Sequence, residues 1–213
     1  MKVSSEFEIR SSKVRIVCIA LCLSFLGLGG CAKREIKNID SQGTQIICFG
    51  DSITFGYGVN PGQDYPTALA KLLRRPVINA GVDGDTTTTA LQRIQSDVLD
   101  KNPRLVIMEF GGNDFLKKVP QEDTIKNLKE MVDLVQARGA MVAIVDISAG
   151  MFFADYRKMY KRLAQDSGCI FVPRILSGII TNPSMKSDFL HPNADGYKII
   201  AYRVLFAIRS YLK

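Results

Sequence analysis

The sequence predicts an α/β domain in which a parallel sheet of five strands lies between two layers of helices. From residue 44 onward, strand-like apolar runs alternate with helix-like segments, and this alternation is typical of βαβ units. Each strand-like run is almost continuously apolar, as expected for parallel strands that are covered on both faces. The sequence shows no repeat or low-complexity tract, so we predict a single three-layer α/β/α domain over residues 44–213.

Five strands are predicted from short apolar runs bounded by turn residues, at 44–49, 76–79, 105–110, 141–146 and 169–172. Five helices are predicted from apolar residues at helical spacing, at 64–73, 87–100, 121–137, 153–165 and 192–211. Pro66 lies in the first turn of its helix, where a missing N–H is tolerated, and Pro192 is expected to start the last helix. We expect a flavodoxin-like strand order, 2-1-3-4-5.

The first thirty residues have a different character. Lys13 and Arg15 precede an uncharged run over 16–28, which is shorter than the about 20 apolar residues that a membrane-spanning helix needs. A cleaved signal peptide over residues 1–30 is therefore favoured. Leu28-Gly29-Gly30-Cys31 resembles the lipobox of bacterial lipoproteins, and this resemblance implies a mature chain that starts at a lipidated Cys31. An ordinary secretory signal and an uncleaved anchor are the alternatives.

A lipidated chain would be exported and anchored to a membrane of the bacterial cell envelope, with residues 31–43 as a short polar tether. Removal of the signal takes away four basic and two acidic residues, which lowers the formal net charge of the chain from +7 to +5. This excess either favours anionic lipid surfaces or is solvated charge spread over the surface. No Lys/Arg run indicates a nucleic-acid partner. The oligomeric state is left open, with a monomer favoured.

Two of the five cysteines, Cys48 and Cys169, lie in predicted strands of the mature domain. In the expected strand order the first and fifth strands lie three spacings apart, or about 14 Å, whereas a disulfide needs α-carbons within about 7 Å. We therefore expect both to be unbonded, buried apolar side chains. Neither has a zinc-ligand spacing, so no metal site is predicted.

Polar and glycine-rich segments follow the predicted strands. Gly50-Asp51-Ser52-Ile53 comes directly after the first strand, so it places a serine hydroxyl at the carboxyl edge of the sheet, where ligands bind in open α/β folds. The chain has a single histidine, His191, with Asp188 three residues before it. Any serine hydrolase that used histidine as its base would have to use this one. The segments contain no GxxxxGK[ST] or GxGxxG, so a nucleotide site is not favoured and no cofactor is predicted.

Four short blocks follow the predicted strands: GDSI with Ser52, NAGVDGDT after the second strand, GGND with Asn113, and DFLHP with Asp188 and His191. Together they resemble the conserved blocks of the GDSL (SGNH) hydrolase family. Their order and spacing are most similar to the bacterial thioesterase I, lysophospholipase and arylesterase branch, over residues 44–212. The one departure is Ile53 in place of leucine, which is a volume-conserving change.

The resemblance implies an SGNH hydrolase fold and a role for each matching residue. Ser52 would be the nucleophile, His191 the general base, and Asp188 the carboxylate that orients the imidazole. The Ser52 backbone N–H, the Gly84 backbone N–H and the Asn113 amide would form the oxyanion hole. Gly84 is chosen over Gly81 because the GDT that begins at Gly84 matches the family position; Gly81 would instead supply a turn dihedral.

The predicted function is a serine esterase that hydrolyses acyl or aryl esters, lysophospholipids or acyl thioesters. Two apolar segments adjoin the proposed site and would either line an acyl groove or pack within their own loops: Phe115 with Leu116, and Met151, Phe152 and Phe153. A carbohydrate O-acetylesterase is the alternative within the same chemistry. A catalytically silent surface-binding lipoprotein is the alternative from another class.

Overall fold

The computed structural model describes residues 35–148 and 154–212, and its centre is a parallel five-stranded sheet in the order β2-β1-β3-β4-β5. The strands are β1 (Gln45–Gly50), β2 (Val77–Gly81), β3 (Pro103–Glu109), β4 (Met141–Val145) and β5 (Ile170–Val172). The predicted fold class and strand order are confirmed. All parallel strands end at one edge of the sheet, so the loops that follow them are brought together there.

The helices of the described residues are α1 (Ser52–Phe55), α2 (Tyr65–Leu73), α3 (Thr87–Asp97), α4 (Gly112–Leu116), α5 (Gln121–Ala137), α6 (Ala154–Asp166) and α7 (Ala194–Ile208). Short 3-10 turns are present at Leu99–Lys101, Pro183–Met185 and Arg209–Tyr211. The five longer helices match the predicted ones. The sequence pattern does not indicate α1 and α4, because four or five residues are too few to show a helical period.

Three helix ends differ from the prediction by two or more residues, and one of them is the end of the last helix, at Ile208 and not at 211. The other two differ for reasons of capping and dihedral angle. The last helix does not start at Pro192: Asn193 is its N-cap and accepts hydrogen bonds from the backbone N–H groups of Asp195 and Gly196. The helix predicted over 87–100 ends at Asp97, because Val98 leaves the helical conformation before the 3-10 turn. At its start, Thr86 and Thr89 form a capping box.

The sheet separates two apolar cores. Ile47 and Phe49 of β1 face the core under α3, α5 and α6, whereas Ile46 and Cys48 face the core under α2 and α7. This alternation follows from the two-residue period of a strand. Cys48 and Cys169 are both buried and unbonded, as predicted.

Residues 35–43 do not form a free tether. The Asn38 side chain donates hydrogen bonds to the Gln136 and Ala140 carbonyls at 2.9 Å, and the Lys37 N–H donates to the Gly168 carbonyl at 2.9 Å. The prediction of a tether therefore fails for residues 35–43, because these contacts hold the segment on the loops that follow α5 and α6. Cys31 and the predicted signal lie outside the described residues. None of the helices in 35–148 and 154–212 is long and apolar enough to cross a membrane.

Candidate active site

The turn after β1 holds Ser52 at the carboxyl edge of the sheet. Asp51 is the N-cap of α1, and its carboxylate Oδ1 accepts the Ile53 N–H at 3.0 Å. Ser52 is the first residue of that helix and is 8% exposed. Gly50 must be glycine, because a Cβ there would lie 2.1 Å from the Thr54 hydroxyl oxygen. The local sequence thus fixes the serine while leaving its hydroxyl accessible from one side.

Ser52, His191 and Asp188 are connected by hydrogen bonds although Ser52 lies far away along the chain. The distance from Ser52 Oγ to His191 Nε2 is 3.1 Å, and from His191 Nδ1 to Asp188 Oδ2 it is 2.8 Å. In this arrangement the serine contacts a base, and the base contacts a carboxylate that orients it. Serine hydrolases use such an arrangement for nucleophilic acyl transfer. The three residues predicted as nucleophile, base and acid are therefore brought together.

The loop that carries Asp188 and His191 is closed by its own hydrogen bonds. Asp188 Oδ1 accepts the N–H groups of Leu190 and His191 at 2.7 and 2.8 Å, while Oδ2 faces the imidazole. Partial burial acts to raise the pKa of Asp188, but the hydrogen bonds from His191 and Leu190 outweigh it and lower the pKa below its usual value. Asp188 is therefore held as a carboxylate, the form that fixes the Nδ1–H tautomer.

Tyr57 packs against the imidazole from the turn after α1. The ring centroids of Tyr57 and His191 are 4.4 Å apart, with an interplanar angle of 39°. The Tyr57 carbonyl in turn accepts the buried Tyr197 hydroxyl of α7 at 3.0 Å. This contact restrains the orientation of the imidazole, and the sequence analysis did not predict it.

The predicted oxyanion-hole donors lie in two neighbouring loops. Asn113, in α4, donates from Nδ2 to the Asp85 carbonyl at 2.9 Å and to Asp51 Oδ2 at 3.4 Å, and it lines the same cavity as Ser52. Gly84 has a φ of +75° and is not among the residues that line the cavity; its neighbour Asp83 is. The N–H of Gly81 already donates to Asn79 Oδ1 at 2.9 Å, which makes Gly81 an unsuitable donor for substrate.

Gly81 has a different structural role from the turn dihedral considered for it. Its φ is not positive, but a Cβ there would lie 2.1 Å from the backbone nitrogen of Phe55. The absence of a side chain therefore lets α1 pack directly on β2. Arg93 stabilises the same corner through its bonds to the Asp85 carboxylate and the Gly50 carbonyl.

Beneath Ser52 lie two buried acids that the sequence analysis did not assign to the site, Asp51 and Glu109. Burial raises the pKa of Asp51 to about 6. Burial and the nearby Asp51 charge raise the pKa of Glu109 well above its usual range. The available signal was a glutamate inside an otherwise apolar predicted strand, at 105–110.

A cavity of about 470 Å³ opens beside Ser52 and His191. Its walls are largely apolar, and the apolar lining residues are Ile53, Phe115, Leu116, Ile147, Tyr156, Leu176, Ile180, Phe189 and Leu190. Phe115 and Leu116 thus line this cavity, which is one of the two placements that the sequence leaves open for them. Met151, Phe152 and Phe153 lie outside the described residues. Within 35–148 and 154–212, no group of three or more His, Cys, Asp or Glu residues is placed to hold a metal ion.

Known proteins that are similar to this chain are lipases, esterases and thioesterases. Residues 48–199 match the GDSL-like Lipase/Acylhydrolase family. The chain is 30% identical over 168 residues to an arylesterase from Vibrio mimicus, which covers 74% of this chain and 84% of the relative. It is 27% identical over 164 residues to thioesterase 1/protease 1/lysophospholipase L1 from Escherichia coli, which covers 73% of this chain and 79% of the relative.

The fold is also similar to a solved structure. The crystal structure of TesA superposes with a TM-score of 0.74 at 26% sequence identity, and the match covers 79% of this chain and 100% of that chain.

Proposed function

The chain belongs to the GDSL-like lipase/acylhydrolase family and is a serine esterase, and we propose that it hydrolyses carboxylic esters through an acyl-enzyme on Ser52. The observation that carries this proposal is the chain of contacts from Ser52 Oγ to His191 Nε2 and from His191 Nδ1 to Asp188. No cofactor takes part in the proposed reaction.

In the acylation step, Ser52 Oγ attacks the carbonyl carbon of the ester while its proton passes to His191 Nε2. The tetrahedral intermediate collapses, the bond to the alcohol oxygen breaks, and the imidazolium returns the proton to the leaving alcohol. Water then attacks the acyl-enzyme with His191 again as base, which releases the carboxylic acid and restores Ser52. Asp188 remains ionised throughout and stabilises the imidazolium.

The negative charge on the tetrahedral intermediate requires preorganised donors. We assign this role to the Ser52 and Gly84 backbone N–H groups and to the Asn113 amide. The position of Asn113 on the cavity wall supports its assignment. For Gly84 the support is indirect: the Gly81 N–H is already bonded to Asn79, and Gly84 occupies the neighbouring turn.

The substrate class is proposed from the cavity. Its apolar walls fit an acyl chain of medium or greater length, or an aryl group, better than a sugar ring, which needs many polar partners. The lysophospholipase and arylesterase names of the relatives are consistent with this choice. Phe115 and Leu116, at the mouth, would contact the acyl or aryl part of the substrate.

Loss of turnover in a Ser52→Ala variant tests the proposed reaction. We expect hydrolysis of p-nitrophenyl butyrate to fall by about 10⁶-fold with an unchanged circular dichroism spectrum, since the nucleophile is removed and the fold is not. Ser96→Ala, which changes an exposed serine on α3, is the matched control and should keep wild-type turnover. Substantial hydrolysis by Ser52→Ala would contradict the assignment.

A series of p-nitrophenyl esters from acetate to palmitate tests the substrate class. We expect kcat/KM to peak at a medium or long chain, and we expect Leu116→Ala to lower it for the long esters more than for acetate. A peak at acetate would instead favour a carbohydrate O-acetylesterase.

We further propose that the chain is exported and anchored to the cell envelope through lipid on Cys31. The support is the sequence Leu28-Gly29-Gly30-Cys31 after a short apolar run. In a bacterial host, labelled fatty acid should be incorporated into the wild type and into Cys22→Ser, but not into Cys31→Ser. Equal labelling of Cys31→Ser would contradict the anchor.

A further inference from the structure

Directly below the proposed nucleophile, two carboxyl groups meet in a buried site. Asp51 follows β1 and Glu109 is the last residue of β3, and Gly50 and Glu109 are register partners in the sheet. Asp51 is 2% exposed and Glu109 is fully buried. The two carboxyl groups lie close enough for each to perturb the ionisation of the other. A buried site disfavours two adjacent negative charges, so we expect one of the two groups to carry a proton.

The hydrogen-bond partners indicate that the proton resides on Glu109. Both oxygens of Asp51 accept hydrogen bonds, from the Ile53 N–H at 3.0 Å and from Asn113 Nδ2 at 3.4 Å, as suits a carboxylate. Glu109 Oε2 accepts the Thr54 hydroxyl at 2.8 Å, whereas its buried Oε1 receives no hydrogen bond from the described residues. An oxygen that accepts nothing is the one suited to donate.

Asp51 connects this pair to the groups that act on the substrate. Through Oδ1 it caps α1 and so fixes the Ser52 backbone, and through Oδ2 it holds the Asn113 amide. The Asn113 nitrogen has two hydrogens. One is held by the Asp85 carbonyl at 2.9 Å, whereas the other makes only a long 3.4 Å contact with Asp51 and is the hydrogen left to donate to the oxyanion.

We propose that Glu109 is a positioning residue that stays protonated and donates to Asp51, and that Asp51 thereby holds the Ser52 turn and the Asn113 amide for the oxyanion. This proposal rests on the proposed function. With Glu109 neutral, Asp51 carries the only negative charge of the pair. Ionisation of Glu109 would add a second one close to the developing oxyanion and would oppose the charge that the hole must stabilise.

Among the described residues, the other ionisable groups that act on the pair or are acted on by it are His191 before α7, Asp85 after β2, Cys48 of β1, Tyr65 of α2, Tyr160 of α6 and Tyr197 of α7. Burial raises the pKa of the thiol and the three phenols, so they remain neutral. Arg93 of α3 approaches the same edge but is paired with Asp85 and Asp97.

The test compares pH profiles of kcat and KM for the wild type, Glu109→Gln and Glu109→Leu with a p-nitrophenyl ester. Glutamine keeps a donor for Asp51 and an acceptor for Thr54 but has no proton to lose. We expect wild-type kcat to fall at alkaline pH. Glu109→Gln should have a kcat within about threefold of the wild type at neutral pH and should keep that kcat at the alkaline pH where the wild type falls. Glu109→Leu should lose about tenfold or more in kcat at every pH with little change in KM, because positioning of an oxyanion donor matters in the transition state.

Asp146→Asn is the matched control. Asp146 directly follows β4, and its buried carboxyl group accepts the backbone N–H groups of Ser148 and Arg174. This variant should keep the alkaline fall in kcat of the wild type.

Thermal melts over the same pH range give a readout that needs no activity. Wild-type stability should fall with rising pH relative to Glu109→Gln, since the raised pKa of Glu109 favours the folded protein only while the acid is protonated.

The outcomes separate the two proposals. If Glu109→Gln shows the same alkaline fall as the wild type, or if Asp146→Asn abolishes it, the role of the pair is overturned and the esterase assignment stands. If the wild type hydrolyses no ester at any pH, both are overturned. Should Glu109→Leu fail to fold, the comparison of the wild type with Glu109→Gln decides the matter.

Discussion

Two aspartates on opposite sides of Ser52 have similar hydrogen bonds and opposite electrostatic surroundings. Asp51 and Asp188 each accept a backbone N–H two residues ahead, and each fixes a loop of the site. Burial raises the pKa of Asp51 to about 6. The pKa of Asp188 is lowered, because its burial is slight and its hydrogen bonds to His191 and Leu190 stabilise the charge.

The two halves of the site are therefore supported differently, one by buried groups of the fold and the other by a surface loop. The nucleophile and the oxyanion side rest on buried polar groups that belong to the fold, namely Asp51, Thr54 and Glu109. The acid Asp188 and the base His191 lie on a surface loop. In this loop the Asp188 side chain is 43% exposed and Phe189 is 83% exposed. Changes in the loop should therefore affect catalysis with little effect on stability, whereas changes beneath Ser52 should affect both.

Asp188→Asn should give the largest effect of the three changes that break this comparison. An amide cannot hold the imidazole in the required tautomer, and the comparable change in a serine protease triad lowers kcat by about 10⁴-fold. The melting temperature should change little, because the side chain is partly exposed. Asp195→Asn, at an exposed position on α7, is the control. A kcat near the wild-type value would show that His191 does not depend on Asp188.

Asn113→Ala should reduce kcat by about 10² to 10³-fold, the usual cost of removing one side-chain donor from an oxyanion hole. Steady-state kinetics with one p-nitrophenyl ester would measure this loss, with the exposed Asn60→Ala as control. KM should stay within a small factor of the wild-type value, because the donor acts in the transition state. An unchanged kcat would remove Asn113 from the site.

Asp51→Asn tests the buried side of the site through the pH dependence of stability. The pKa of Asp51 is raised to about 6 in the folded protein. Protonated Asp51 therefore stabilises the fold at a pH below its pKa in the unfolded chain, and this stabilisation is lost as pH rises through about 6. Asparagine keeps the N-cap and does not titrate. Relative to the variant, wild-type stability should decline between about pH 4 and pH 7, on the order of 2 kcal/mol, or several degrees in melting temperature. Parallel pH profiles of the two proteins would contradict the account.

The sequence predicts most of the fold because apolar periodicity is a local signal. All five strands and the five long helices follow from it, and the order of strands is the one expected of a flavodoxin-like α/β fold. The helix starts depend on single caps, and the N-cap at Asn193 displaces the start predicted at Pro192. The contacts of Asn38 with the end of α5 join residues about a hundred positions apart, which no local pattern contains.

The residues of the site likewise divide into those that a local sequence pattern predicts and those that only the folded chain brings together. Ser52, Asn113, Asp188 and His191 are predicted because each lies in a short block that resembles a block of the GDSL family. The cavity residues Ile147, Leu176 and Phe189 come from three separate loops, and only the folded chain shows that they share one wall. The partnership of Asp51 with Glu109 depends on the register of β1 with β3, which the sequence does not state.

Covalent labelling by a fluorophosphonate probe tests the central claim most directly. The probe is attacked by an activated serine, and intact mass followed by peptide mapping identifies the residue modified. The account predicts one adduct per chain, located on Ser52, in the wild type and none in Ser52→Ala. An adduct on another residue, or equal labelling of the two proteins, would contradict it.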